Sequence, residues 1–160
     1  MRSTRILTAA AVTATALAAP SAASAAEQLA AVTNSNKVMT FASDSPGNLD
    51  TVYPLTGLAS GEKIVGLDTR PATGQLYGLG KTGRIYVIDA ASGATRSVAG
   101  PISPLPAGST YGFNFNPTVD RIRITTDQRQ NLRVNPDTGA VAVDAPLAYA
   151  PGQGLSLIHI

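Results

Sequence analysis

Two stretches of this chain superpose without a gap at a spacing of 46 residues, and that spacing limits the fold more than any other feature. Gly66 and Gly112 stand 46 positions apart, as do Pro71 and Pro117, Gly93 and Gly139, and Ala94 and Ala140. At the same offset apolar falls on apolar: Leu67 on Phe113, Leu76 on Ile122, Tyr86 on Leu132, Ile88 on Val134. Polar turn residues correspond too: Asp68 with Asn114, Asp89 with Asn135, Ser92 with Thr138. Each stretch breaks into four short alternating or apolar runs separated by Gly, Pro, Asn, Asp and Ser, with no helical period, which reads as all-β. Strands are predicted at 62–69, 75–80, 83–88 and 94–98, and again at 111–116, 120–126, 131–135 and 140–144.

The punctuation between the runs suits strand connections. Residues 89–93 and 135–139 each fit a type I turn closed by a glycine in the left-handed region, a common hairpin loop. Pro71 and Pro117 fall between strands, where the missing N–H costs no ladder bond. Upstream, residues 37–41 and the turn after them resemble 84–88 at an offset of 47, the end of an earlier and more divergent unit. A period near 46 with four strands per unit fits a β-propeller blade. The competing architecture is a β-sandwich whose hairpins resemble one another by chance. Closed propellers have about four to eight blades, and this chain has room for about three units, so the expectation is an incomplete, open propeller. An open arc leaves bare sheet edges that invite pairing.

The first 26 residues stand outside this pattern. Arg2 and Arg5 precede an apolar or small-residue run from Ile6 to Ala19, then Pro20 and a small-residue stretch. This is the layout of a cleavable secretory signal peptide, with the cut after Ala25 or Ala26. The run is shorter than the roughly 20 apolar residues needed to span a bilayer, so no membrane anchor is expected after cleavage. Export changes the charge balance. The whole chain has 12 basic and 10 acidic residues, and losing Arg2 and Arg5 leaves ten of each. A neutral mature chain has no global positive field to draw in nucleic acid.

Cysteine is absent, which removes disulfides, thiolate metal sites and thiol nucleophiles. His159 is the sole histidine, so Ser-His triads and histidine metal sites are nearly excluded within this chain. No cofactor is expected. From Leu155 to Ile160 the sequence turns apolar and matches nothing in the earlier units. It reads as the translation of a sequencing-library adapter, with the true sequence continuing differently beyond Gly154. The domains expected are therefore a signal peptide at 1–26, a partial repeat domain at 27–154 and an atypical tail at 155–160.

The predicted hairpin around Asp127, Gln128 and Arg129 carries the strongest polar signal. It pairs Ile122 with Val134 and Ile124 with Leu132 on one face, and on the other sets Arg123 opposite Arg133 and Arg121 opposite Asn135. Opposed like charges destabilise a strand pair. Compensation comes from a bound anion or carboxylate-bearing ligand held by Arg121, Arg123 and Arg133, or from an ion pair to an acid of a neighbouring unit such as Asp144 or Asp68. The preceding unit has Tyr77 and Val87 at the positions of Arg123 and Arg133, so this face is normally buried between units, and the ion-pair reading is preferred. Asp68, Asn114, Asp89 and Asn135 recur by repeat, which favours turn and capping roles over metal binding. Asp44 and Asp50 read as solvated loop positions. The glycines from Gly74 to Gly83 lack a phosphate-loop ending and a following helix, so hairpin turns explain them.

Three segments together, 66–80, 112–123 and 131–139, resemble the DUF4394 family, exported bacterial proteins of unknown function with a propeller-like repeat. The resemblance runs roughly from Ala30 to Gly154. It implies a longer chain with further units and no assigned activity, so no functional residue carries over. The function expected is a secreted, non-enzymatic module that binds a ligand, glycan or protein. The alternatives are a metal-dependent hydrolase or lyase of the six-bladed propeller type, and a truncated fragment without a function of its own.

Overall fold

Apolar side chains at every second position decide which segments become strands here and which faces they bury. The computed structural model describes residues 25–148, which hold eleven strands in three antiparallel sheets and no helix. The first sheet comprises β1 (Gln28–Val32), β2 (Lys37–Ala42) and β3 (Leu49–Pro54). The second comprises β4 (Ile64–Thr69), β5 (Leu76–Gly80), β6 (Ile85–Ile88) and β7 (Thr95–Ser97). The third comprises β8 (Tyr111–Asn116), β9 (Arg121–Thr126), β10 (Asn131–Val134) and β11 (Val141–Val143). Each sheet is an up-and-down meander in chain order, and none closes into a barrel. All but two residues of the signal segment 1–26, and the whole tail 155–160, lie outside the described residues. Ala25 and Ala26 precede β1 and are exposed.

The eight strands read from the 46-residue spacing all form, within two residues at each end. The turns form as read: Gly93 and Gly139 have φ of 77° and 72°, and their N–H groups donate to Asp89 O and Asn135 O at 2.7 and 2.9 Å. The first sheet is more extensive than residues 37–41 suggested, because β1 and β3 flank β2. Asp50 is therefore a strand residue rather than a loop residue, and it accepts a 2.8 Å bond from Gln28 Nε2.

The repeat offset also predicts which faces meet. Tyr77, Leu79, Ile85 and Val87 of the second sheet pack on Phe113, Phe115, Ile122, Ile124, Leu132 and Val134 of the third. Tyr77 meets Phe115 edge-to-face with centroids 5.1 Å apart, an arrangement that aromatic quadrupoles favour. The opposite face of the second sheet, with Leu76, Tyr86 and Ile88, packs on Val38, Ala30 and Val32 of the first. So the second sheet is sandwiched, with the first and third as outer layers. Strands β4 and β8 are the first strands of their sheets and lie side by side. Gly66 makes that approach feasible: a Cβ there would stand 2.6 Å from the Phe113 Cβ.

Candidate functional site

The arginines singled out by the sequence sit on the outer face of the third sheet. Strand register sets Arg123 opposite Arg133, Ile122 opposite Val134 and Ile124 opposite Leu132. Asp144, just past β11, lies between the two guanidinium groups. It accepts from Arg133 Nε at 2.8 Å and from Arg123 Nη1 at 3.2 Å. Those contacts, Arg133 first, hold the Asp144 carboxyl below the usual carboxylate range. Asp144 belongs to the same sheet as the arginines rather than to a neighbouring one. The other acid considered, Asp68, is engaged elsewhere: its carboxylate accepts from Thr69 N at 2.8 Å and from Phe115 N at 2.6 Å, tying β4 to β8. Arg121 donates to backbone carbonyls at Asp120 and Val119, at 2.9 and 3.4 Å. With Arg133 and Asn135 it borders a shallow hollow of about 230 Å³.

Asp89 and Asn135 fulfil the turn role that their recurrence suggested. Asp89 accepts from Ala91 N and Ser92 Oγ, and Asn135 accepts from Asp137 N. Among the described residues no three His, Cys, Asp or Glu side chains converge as a metal site would require.

A second feature was not visible as a motif. At one end of the neighbouring strands β4 and β8 there is a cleft of about 460 Å³, bordered by Val32, Asn34, the β4 residues from Ile64 to Leu67, and Ser109 to Tyr111. All three sheets contribute to it. Its side chains offer hydroxyl and amide groups from Asn34, Ser109 and Thr110, not charges. Ser109 is held by Asp127, which accepts from its N–H and its hydroxyl, the latter at 2.7 Å. Tyr111 is fixed by a 2.6 Å bond from its hydroxyl to Gly108 O. The Asp127 carboxyl is held below its usual range by the Ser109 hydroxyl first and the Ser109 N–H second. The side chains that border the cleft carry no charge, and two of them, Ser109 and Tyr111, are fixed by hydrogen bonds.

Comparison with known families decides the relationship. The family described as a domain of unknown function, DUF4394, matches residues 37–156. The chain belongs to the DUF4394 family. The match begins at β2 and takes in both four-stranded sheets, so it covers the arginine face and most of the cleft. A search of curated proteins finds no match.

Sequence reasoning also missed Arg70, which is only 8% exposed and bridges the second and third sheets. Its guanidinium donates to Asp120 in the β8–β9 turn and to Asp137 in the β10–β11 turn, at 2.5 and 2.7 Å, and to Tyr77 Oη at 3.3 Å. A signal existed. Asp120 and Asp137 replace Gly74 and Ala91 of the preceding unit, and charges found in one unit only call for a partner outside the repeat.

Proposed function

We propose that this DUF4394 chain is an exported, propeller-like binding module without catalytic chemistry of its own, and that its ligand occupies the cleft beside β4 and β8. The propeller-like reading draws support from three successive meander sheets stacked face to face at the repeat spacing, with β4 and β8, the first strands of the second and third, adjacent. The export reading draws support from the n-region, apolar run and small-residue cleavage pattern of residues 1–26. The observation that carries the binding reading is the cleft itself, where all three sheets supply wall and the polar groups are neutral. Its ligand class is a neutral polar chain, a glycan or an extended peptide.

The test uses the full chain on glycan and peptide arrays, followed by titration of the strongest binder. Asn34→Trp and Thr110→Trp place bulk in the cleft from exposed positions, so each is expected to weaken binding at least tenfold with Tm unchanged. Binding indifferent to both substitutions would sink the cleft reading. Intact-mass measurement of secreted protein beginning at residue 26 or 27 tests export.

A second reading has its own observation. Arg121 and Arg133 share one hollow, and among the described residues one carboxylate, Asp144, faces both Arg123 and Arg133. That residual positive charge suits a carboxylate-bearing ligand. Loss of such binding in Arg121→Ala, with stability retained, would favour this face over the cleft.

A further inference from the structure

The first sheet has three strands where the second and third have four, and the repeat identifies which position is open. At the 47-residue offset β1 corresponds to β5, β2 to β6 and β3 to β7. The unfilled position is therefore that of β4 and β8, along the free edge of β1. Among the described residues no strand pairs with that edge.

The backbone there is oriented to receive one. Ser43 N donates to Glu27 O and Thr33 N donates to Lys37 O, so alternation along an antiparallel pair sends the odd-numbered peptide groups of β1 to β2. Gln28, Ala30 and Val32 consequently direct theirs to the open side. Their counterparts in the second sheet behave the same way. Gln75 O accepts from Arg70 N, and Lys81 N donates to Lys63 O, which places the Tyr77 and Leu79 groups against β4. Tyr77 and Leu79 stand 47 positions after Ala30 and Val32.

We infer that the free edge of β1 accepts an extended polypeptide strand of the β4 and β8 type, bound antiparallel to β1 by strand addition. The inference rests on the cleft reading above and names its occupant, since the cleft is bordered by Val32 of β1 and by residues Ile64 to Leu67 of β4, the strand that β1 touches. The repeat also sets the strand's chemistry. Gly66 is required beside Phe113 because a Cβ would collide with it. Leu67 holds the position of Phe113 in the preceding unit, so the incoming strand needs glycine opposite Leu67. Two residues further on, Asp68 and Asn114 mark a place for a short carboxylate or amide that caps the neighbouring strand, as Asp68 caps Phe115 N–H.

The probe is a fluorescent synthetic peptide reproducing residues 62–71, added to the full chain. Saturable binding by anisotropy is expected, at least tenfold weaker for the peptide carrying Gly66→Val. Ala30→Pro in the protein removes one outward N–H without breaking a bond to β2, and is expected to weaken binding at least tenfold. Hydrogen exchange on the unaltered chain needs no variant: Ala30 and Val32 amides should exchange quickly alone and slow at least tenfold with peptide. Slow exchange in the free chain would show the edge already occupied and overturn the inference, as would equal binding of the Gly66→Val peptide. Self-association abolished by Ala30→Pro without peptide would assign the edge to a second copy instead. A glycan that binds the cleft while the peptide does not would overturn the strand inference and leave the cleft reading standing; failure of both probes would remove both.

Discussion

Arg70 and Asp120, 50 residues apart in sequence, meet at 2.5 Å across the junction of the second and third sheets. Asp137 completes the clasp from a second turn of the third sheet, at 2.7 Å from Arg70 Nη1. The guanidinium is buried and donates to two carboxylates and a tyrosine hydroxyl, so it is held protonated well above its ordinary range by Asp120 first and Asp137 next. Reciprocally, Arg70 holds both carboxyls below theirs.

Acid should loosen this junction. A carboxyl with a depressed folded pKa adds stability that is fully present above its unfolded value, near 4, and is lost as pH falls through the folded value. Thermal melts from pH 7 to pH 2.5 are therefore expected to show Tm steady down to about pH 4 and falling below it. Arg70→Leu removes the guanidinium that depresses Asp120 and Asp137. It should lower the plateau by at least about 5 °C and flatten the acid limb, leaving the slope due to Asp89, Asp127 and Asp144, which are also depressed. Parallel pH profiles for the two proteins would show that the clasp does not couple to folding.

Asp144 separates two guanidinium groups that strand register forces together. Asp144→Asn leaves Arg123 opposite Arg133 with no counter-charge, so Tm should fall by about 2–4 °C at low ionic strength. Both arginines are substantially exposed, at 38% and 46%, so the loss is screened. Melts in 1 M salt, where the Debye length is about 3 Å, should recover most of it. In an Arg133→Gln background the same substitution should change Tm little. A salt-independent loss would point to packing at Asp144 rather than charge.

How much of this was legible depends on whether a residue's role repeats. The strands of the second and third sheets, their register and the Gly93 and Gly139 turns all follow from period and turn chemistry, since those features recur in both units. The facing of Arg123 and Arg133 follows from the same register. Strands β1 and β3 were not legible, because their unit has diverged and Asp50 breaks the apolar pattern of β3. Arg70 was hidden because its partners lie 50 and 67 residues away in turns, and the one trace of them is that Asp120 and Asp137 depart from Gly74 and Ala91 of the preceding unit. The cleft was hidden for the same reason: Asn34, Thr110 and Ile64 come together only when the sheets stack. Those same stacking contacts, rather than any motif, place the neutral groups that the binding reading uses.

In the second and third sheets a carboxylate ties the loop before the sheet to the turn between its second and third strands, and it is supplied from opposite sides. In the second sheet the loop residue Glu62, 4% exposed, accepts from Thr82 N at 2.9 Å, from the Thr82 hydroxyl and from Tyr86 Oη at 3.4 Å. In the third sheet the hairpin residue Asp127 accepts from the loop residue Ser109. Glu62 is enclosed and Asp127 exposed, so the two should respond differently. Glu62→Ala takes the acceptor from the buried Tyr86 hydroxyl, while water can reach the exposed Thr82, and should cost about 1–3 kcal/mol. Asp127→Ala should cost less, because water can reach Ser109, and its effect should centre on the cleft wall. Denaturant unfolding of both variants checks the ranking, and equal losses would show that burial does not distinguish the two clasps.

Gly66 and Gly112 are repeat-equivalent, yet they should tolerate a methyl group very differently. A Cβ at Gly66 would stand 2.6 Å from the Phe113 Cβ and 3.5 Å from the Leu79 Cβ. Phe113 and Leu79 are buried between sheets and have no room to withdraw. Gly66→Ala therefore has to push β4 away from β8, an overpacking cost of about 1–3 kcal/mol. It should also loosen the Asp68 bond to Phe115 N–H that spans the same gap. At Gly112 the obstructing atom is the Thr125 hydroxyl on the outer face of the third sheet, and a rotamer change moves it aside. Gly112→Ala should change stability by no more than about 0.5 kcal/mol. Urea unfolding of the two variants, with amide exchange at Phe115 as the local probe, separates the cases. Destabilisation at Gly66 accompanied by faster Phe115 exchange is the expected result, and equal tolerance at both glycines would mean that β4 and β8 are not packed as closely as Gly66 implies.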